Sequence, residues 1–170
     1  MIKINYCKKC VYPETAVNLY LNKDGLCSAC EAMEYHSNEI EENFWNIRKL
    51  RFEKIISKIK KSNTSNYDCL IPVSGGKDSY YQTHVICKEY GLKPLLMTYN
   101  GNNFLEVGDF NRDNMKVNFN ADHIVWGPSI NILKKLNRIC FKKMGDMNWQ
   151  NHCGIFSAPI QVAVNFKIPF

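Results

Sequence analysis

Two runs of this sequence combine residue types and spacings that do chemistry. The first is a pair of C-x-x-C motifs, Cys7-Lys8-Lys9-Cys10 and Cys27-Ser28-Ala29-Cys30, separated by sixteen residues. Two residues between thiolates let one tight turn present both sulfurs to a single tetrahedral ion, and the distance between the pairs fits a four-cysteine zinc pattern. Such an ion has no open position for substrate. It serves folding, by stabilising a piece of chain too small for its own core. An iron–sulfur cluster is the other chemistry that four thiolates support. Between the pairs, Val17–Leu21 reads as a strand and Asn22-Lys23-Asp24-Gly25 as a turn. A hairpin there would return the second pair to the first, as in a zinc ribbon.

The second run is Tyr67-Asp68-Cys69-Leu70-Ile71-Pro72-Val73-Ser74-Gly75-Gly76-Lys77-Asp78-Ser79-Tyr80. It reads as strand, glycine turn and helix start. A turn of this kind aims backbone N–H groups and a helix dipole at an anion. Gly75 and Gly76 let the backbone approach a phosphate closely. Lys77 adds a point charge, and Ser74 and Ser79 add hydroxyls. Asp78 is expected as the helix N-cap or as a metal contact. The run is neither a Walker A loop nor G-x-G-x-x-G, because Asp follows Lys77 and the glycine spacing differs.

The elements that must position these residues are legible in the pattern. Residues 32–66 read as a helical linker, with Trp45, Phe52, Ile55, Ile56 and Ile59 at helical spacing between basic residues. From residue 67 the chain alternates strand and helix. Strands are predicted at Cys69–Val73, Leu95–Tyr99 and His123–Trp126. Helices are predicted at Asp78–Tyr90 (stopped by Gly91), Asp109–Phe119, Ile130–Met144 and Ile155–Asn165. Alternation of this kind predicts an α/β fold with a parallel sheet, its strands neighbours and its crossovers right-handed. Three domains follow: a zinc-ribbon-like module over 1–31, the linker over 32–66, and a nucleotide-fold portion over 67–170. Ile168-Pro169-Phe170 resembles the opening of a fourth strand, and the chain is therefore expected to be a truncated part of a longer protein.

Composition narrows the class. Hydrophobic residues make up 45% of 170 residues, enough for a core. The net charge is +6, and residues 1–66 and 67–170 each carry 11 basic and 8 acidic side chains, so neither half is a basic arm. A nucleic-acid partner is not the expectation. No apolar run approaches the length of a membrane span, and Met1–Cys7 lacks a signal-peptide pattern. Four of the eight cysteines are crowded into the first thirty residues, unlike a secreted disulfide scaffold. A cytoplasmic setting is expected, with Cys69, Cys87 and Cys140 as core thiols.

Ser74–Ser79 resembles the S-G-G-K-D-S loop of the PP-loop ATP pyrophosphatases. That superfamily has a Rossmann-like, adenine-nucleotide α-hydrolase-like fold. The resemblance implies that ATP is cleaved between its α- and β-phosphates with Mg²⁺ present, and that the loop binds the departing pyrophosphate. It also implies nucleotide contacts at Asn100 and Gly101, which resemble the strand tip where these enzymes seat ATP. Within the superfamily the chain is most similar to the N-acetyl sugar amidotransferases of lipopolysaccharide and flagellin-glycan biosynthesis, of the pseudaminic and legionaminic acid type. The likeness runs through Cys7-x-x-Cys10-x-x-Pro13-x-Thr15, Gly25-Leu26-Cys27-x-x-Cys30, the loop run, Gly91-Leu92-x-Pro94-Leu95-Leu96 and Gly145-Asp146-x-x-Trp149-x-x-His152-x-Gly154-Ile155. The tRNA thiolases are similar in loop and ribbon but typically carry a later C-x-x-C. Here that stretch is Cys153-Gly154-Ile155-Phe156, with Phe156 in place of the second cysteine.

The resemblance implies an enzyme that adenylates the acetamido group of an N-acetyl sugar and lets ammonia displace AMP. Catalytic roles are expected of Lys77, Asp78, Asp146 and His152, and ATP contacts of Ser74 through Ser79. Asp146, Trp149 and His152 are placed in a loop before the last helix. A capping Asp with a packed Trp and a hydrogen-bonded His is the alternative for that cluster. No glutaminase signature is present, so a separate glutaminase and a channel subunit are implied partners. The rival functions are a tRNA-modifying enzyme and a non-catalytic interaction module.

Overall fold

The computed structural model describes residues 4–39, 43–101 and 105–169. The chain divides into two compact units, residues 1–53 and 54–170. In the first, Cys7, Cys10 and Cys27 precede helix α1 (Ser28–Glu39), and Cys30 lies in its first turn. Helix α2 (Phe44–Ser62) runs through the boundary. The second unit continues β1 (Cys69–Pro72), α3 (Lys77–His84, extended by a π turn over Val85–Glu89), β2 (Pro94–Tyr99), α4 (Glu106–Phe119), β3 (Asp122–Trp126), α5 (Ile130–Met144) and α6 (Trp149–Asn165).

The three strands form one parallel sheet in the order β1-β2-β3, with Leu70 opposite Leu95 and Met97 opposite Ile124. This is the mixed α/β architecture that the alternation predicts. Side-chain direction alternates along each strand and sorts the core into two layers. Leu70, Leu95, Met97 and Tyr99 face α6, where Ala158 and Ala163 receive them. Ile71, Val73 and Leu96 face the opposite way, onto Met115 of α4, with Tyr80 and Ile86 alongside. All six residues of β2 are buried, as befits a central parallel strand covered on both faces. Each large apolar side chain so buried contributes about 1.5–3 kcal/mol before chain entropy is counted. Pro72 is tolerated because Val73 N–H donates to Met97 O. The donor that Pro72 lacks would then point to the other edge of β1, where the described sheet has no strand.

Three local expectations are corrected. The Val17–Leu21 strand is absent; the module instead has two isolated antiparallel bridges, Tyr6 with Pro13 and Leu21 with Cys27. A chain this short is held by its ligands and turns more than by a ladder. Helix α6 begins at Trp149, six residues earlier than the apolar pattern suggests. Its first turn, Trp149-Gln150-Asn151-His152, carries little of the apolar pattern, so periodicity does not mark the start. Ile168 opens no strand. Its N–H donates to Ala163 O at 2.8 Å and Lys167 N–H donates to Val164 O at 3.1 Å, which closes α6 with a Schellman turn. Phe170 lies outside the described residues.

Candidate functional site

The four cysteines come together as the spacing requires. Their sulfurs all lie within 4.8 Å of one another. Cys7 Sγ is 3.9 Å from Cys30 Sγ, and Cys10 Sγ is 3.5 Å from Cys27 Sγ. A tetrahedral ion with metal–sulfur bonds of about 2.3 Å separates its sulfurs by about 3.8 Å, so the geometry fits zinc closely. The turns that build it are local. Asn22 Oδ1 accepts the N–H groups of Asp24 and Leu26, each at 2.9 Å. Lys8 N–H donates to Gly25 O at 2.9 Å, which ties the first cysteine turn to this second one. Cys27 N–H donates to Cys7 Sγ at 3.3 Å, an outer contact of the kind that orients a ligand. Backbone donors, first that of Cys10 and also those of Cys27 and Lys9, hold the Cys7 thiol down at about 6. Burial, followed by the neighbouring thiols, pushes Cys30 up to about 12. A cation would relieve that conflict by stabilising every thiolate at once.

The glycine loop leaves the carboxyl end of β1. Gly75 has φ +80, and a Cβ there would come within 2.9 Å of Gly108 O and 3.1 Å of Arg112 Cγ. Gly75 is therefore required by the approach of α4 as well as by its own conformation. Arg112 is 8% exposed and donates from Nη2 to Asp109 Oδ1. It is a buried cation against the loop that no local motif signals. The N-cap of α3 is Gly76, without a side-chain capping bond. The N-cap expectation for Asp78 is thus corrected: it lies in the first turn, exposed beside exposed Lys77. The Ser79 hydroxyl donates to Gly76 O at 3.0 Å and so braces the turn. Ser74 Oγ accepts the Gly76 N–H at 3.4 Å, a weak contact.

Beside the loop lies a crevice of about 570 Å³ at the carboxyl ends of β1 and β2. Ser74, Thr98, Tyr99, Asn151, Phe156 and Pro159 are among its walls. Open parallel sheets bind ligands at this end of their strands. Pro159 sits inside α6 and has no N–H, so the Ile155 carbonyl lacks its helical donor at the crevice wall. Asn100 and Gly101 form the tip of β2. A side chain on Gly101 would meet Asn151 and the Tyr99 ring, and one on Gly127 would meet Asn100 O.

The Asp146 cluster is spread out. Asp146 Oδ1 accepts the Asn148 N–H at 2.8 Å, and Asn148 occupies the N-cap position of α6 without a side-chain capping bond. Trp149 and His152 lie within the first turn of α6 rather than in a loop, and both are exposed. It is Asn151, between them, that lines the crevice, together with Phe156. Among the other thiols, Cys69 is pushed up to about 12, first by burial and then by Asp68. It suits a wall of the core better than a nucleophile. No helix among the described residues is long and apolar enough to cross a membrane. No family model matches the chain, and no curated protein sequence matches it.

Proposed function

We propose that this chain belongs to an ATP-dependent amidotransferase acting on an N-acetyl sugar, nucleotide-linked in the simplest case. The observation that carries the reading is one juxtaposition. A strand–Ser-Gly-Gly-Lys-Asp-Ser–helix loop opens beside an apolar crevice at the carboxyl edge of a parallel sheet. The acetamido carbonyl oxygen attacks the α-phosphorus of ATP, and the bond from that phosphorus to the bridging oxygen breaks. Pyrophosphate departs toward the Gly75 and Gly76 N–H groups, the N-terminus of α3 and Lys77. Ammonia then adds to the adenylated carbon and AMP leaves, which gives an acetamidino sugar. Asp78 is exposed where it would hold Mg²⁺, which supplies charge neutralisation to the phosphates.

The crevice suits a flat, mostly apolar moiety, and Asn151 offers it a carboxamide partner. His152 and Asp146 are the groups nearest that wall in sequence that could orient ammonia. The four-cysteine module binds zinc and acts structurally. Ammonia is delivered by a separate glutaminase through a channel subunit. The test is pyrophosphate formed from ATP, Mg²⁺, an ammonium salt and a nucleotide-linked N-acetyl sugar. Pyrophosphate formation that needs both sugar and ammonium supports the reading. Its absence from the chain, and from the longer protein if there is one, overturns it.

A second reading, a tRNA-modifying enzyme, rests on α5. Lys134, Lys135, Arg138, Lys142 and Lys143 are carried there with no acidic residue among them. An affinity for tRNA that falls steeply with salt would favour it.

A further inference from the structure

Thr98 stands between β3 and the start of the loop. It is 2% exposed, and its Oγ1 donates to the Val73 carbonyl at 2.6 Å. The same oxygen is 2.9 Å from His123 Nε2. A threonine hydroxyl has one proton, and Val73 receives it. The histidine must therefore be the donor, and its ring is held as the Nε2–H tautomer. Val73 N–H is also engaged, to Met97 O at 2.8 Å. Both polar backbone groups of the last residue before Ser74 are thus tied to β2.

We infer that Thr98 and His123 are positioning residues for the Ser74–Ser79 loop, through a hydrogen-bond relay that runs across three strands from His123 Nε2–H to Thr98 Oγ1 to Val73 O. The peptide between Val73 and Ser74 is planar, so fixing its carbonyl fixes the opposite direction of the Ser74 N–H. Gly75 and Gly76 follow immediately, and glycine supplies no side chain to hold their orientation. The relay supplies it from outside the loop. Arg112, Lys116 and Asp113 of α4 supply the charges that the His123 ring feels. Arg112 also abuts Gly75. The loop is thus met at two points, by the relay at Val73 and by Arg112 at Gly75. This inference rests on the reading that the loop receives pyrophosphate.

The test uses the whole chain and inorganic pyrophosphate as probe, with affinity measured by calorimetry. Amide resonances of Gly75 and Gly76 are followed in parallel. Thr98→Val keeps the shape and removes the hydroxyl, and His123→Leu removes the donor. Each is expected to weaken binding about tenfold, the loss of one buried hydrogen bond's orientation. Each is also expected to shift both glycine resonances. Thr98→Ser restores a hydroxyl and His123→Gln restores an N–H donor, so both are expected within about threefold of the parent. Unchanged affinity and unchanged glycine resonances in Thr98→Val would overturn the relay. If Thr98→Val does not fold, His123→Leu against His123→Gln decides in the same way. If the parent binds no pyrophosphate, the ATP reading fails by itself. The glycine resonances still judge the relay, which is upheld if the donor-less variants move them and the restoring ones do not, and rejected otherwise.

Discussion

The ring of Tyr99, the last residue of β2, lies against Gly154 of α6, where any side chain would overlap it. The Tyr99 hydroxyl donates to Gln150 Oε1 at 3.3 Å, and Gln150 Nε2 donates to Asn137 Oδ1 at 3.1 Å. Glycine at 154 thus lets α6 approach the tip of the central strand. A polar chain then locks β2, α6 and α5 together behind the crevice.

Gly154→Ala is accordingly expected to destabilise the second unit by about 1–3 kcal/mol, the usual cost of overpacking. Urea unfolding followed by tryptophan fluorescence measures it. The zinc content should not change, because the cysteine module is a separate unit. A stability equal to that of the parent would show that α6 can slide without cost.

The cysteine module should carry one equivalent of zinc. Cys10→Ser should lower its affinity by orders of magnitude. Binding must deprotonate thiols, above all Cys30, which is pushed up to about 12. The sign follows directly: protons are released on binding, so affinity rises with pH and falls as pH drops toward 6. Competition with a chromophoric chelator across that range reads the slope. A pH-independent affinity would exclude thiolate ligation.

Gly75→Ala combines a left-handed φ of +80 with a 2.9 Å approach to Gly108 O. It should abolish nucleotide-dependent pyrophosphate release in the proposed reaction. Lys77→Ala should lower turnover more than ATP affinity, since its charge matters most once the leaving group is negative. Steady-state kinetics separate the two. Near-parent turnover in both variants would make the loop a structural turn only.

His123 is held down at about 4, first by burial and then by Arg112 and Lys116. Its ordinary value is near 6.5, so between those values the unfolded chain binds the extra proton. Stability is full above pH 6.5 and is lost as pH falls toward 4. The ring is only half buried, and solvent screening limits the loss to about 1–2 kcal/mol. His123→Gln should flatten that part of the profile, as measured by denaturant midpoints at stepped pH. An unchanged profile would move the acid sensitivity to other groups.

Val11 has φ +59 and is exposed, an unfavourable conformation for a β-branched residue. Val11→Gly is expected to stabilise the cysteine module by about 1 kcal/mol. Resistance to chelator-induced unfolding would report it. A loss of resistance would mean that Val11 makes contacts worth more than its strain.

Much of the coarse architecture was legible in the residues themselves, because short-range physics decides it. Cys7, Cys10, Cys27 and Cys30 announce one ion by spacing alone. The short apolar runs announce β1, β2 and β3, and the amphipathic stretch between Ser129 and Gly145 announces α5, correct to both ends. The glycine loop is likewise local, since strand, turn and helix start are contiguous. Three other features came only from the tertiary structure. Helix α6 begins at Trp149, ahead of its apolar run, which carries Asn151 into the crevice and leaves His152 exposed. Gly108 and Arg112 lie against Gly75, more than thirty residues before them in the chain. Thr98 and His123 reach Val73 across three strands. These relationships depend on which strand neighbours which and on the register between them. Such pairings join residues far apart in the chain, and no local pattern of side chains encodes them.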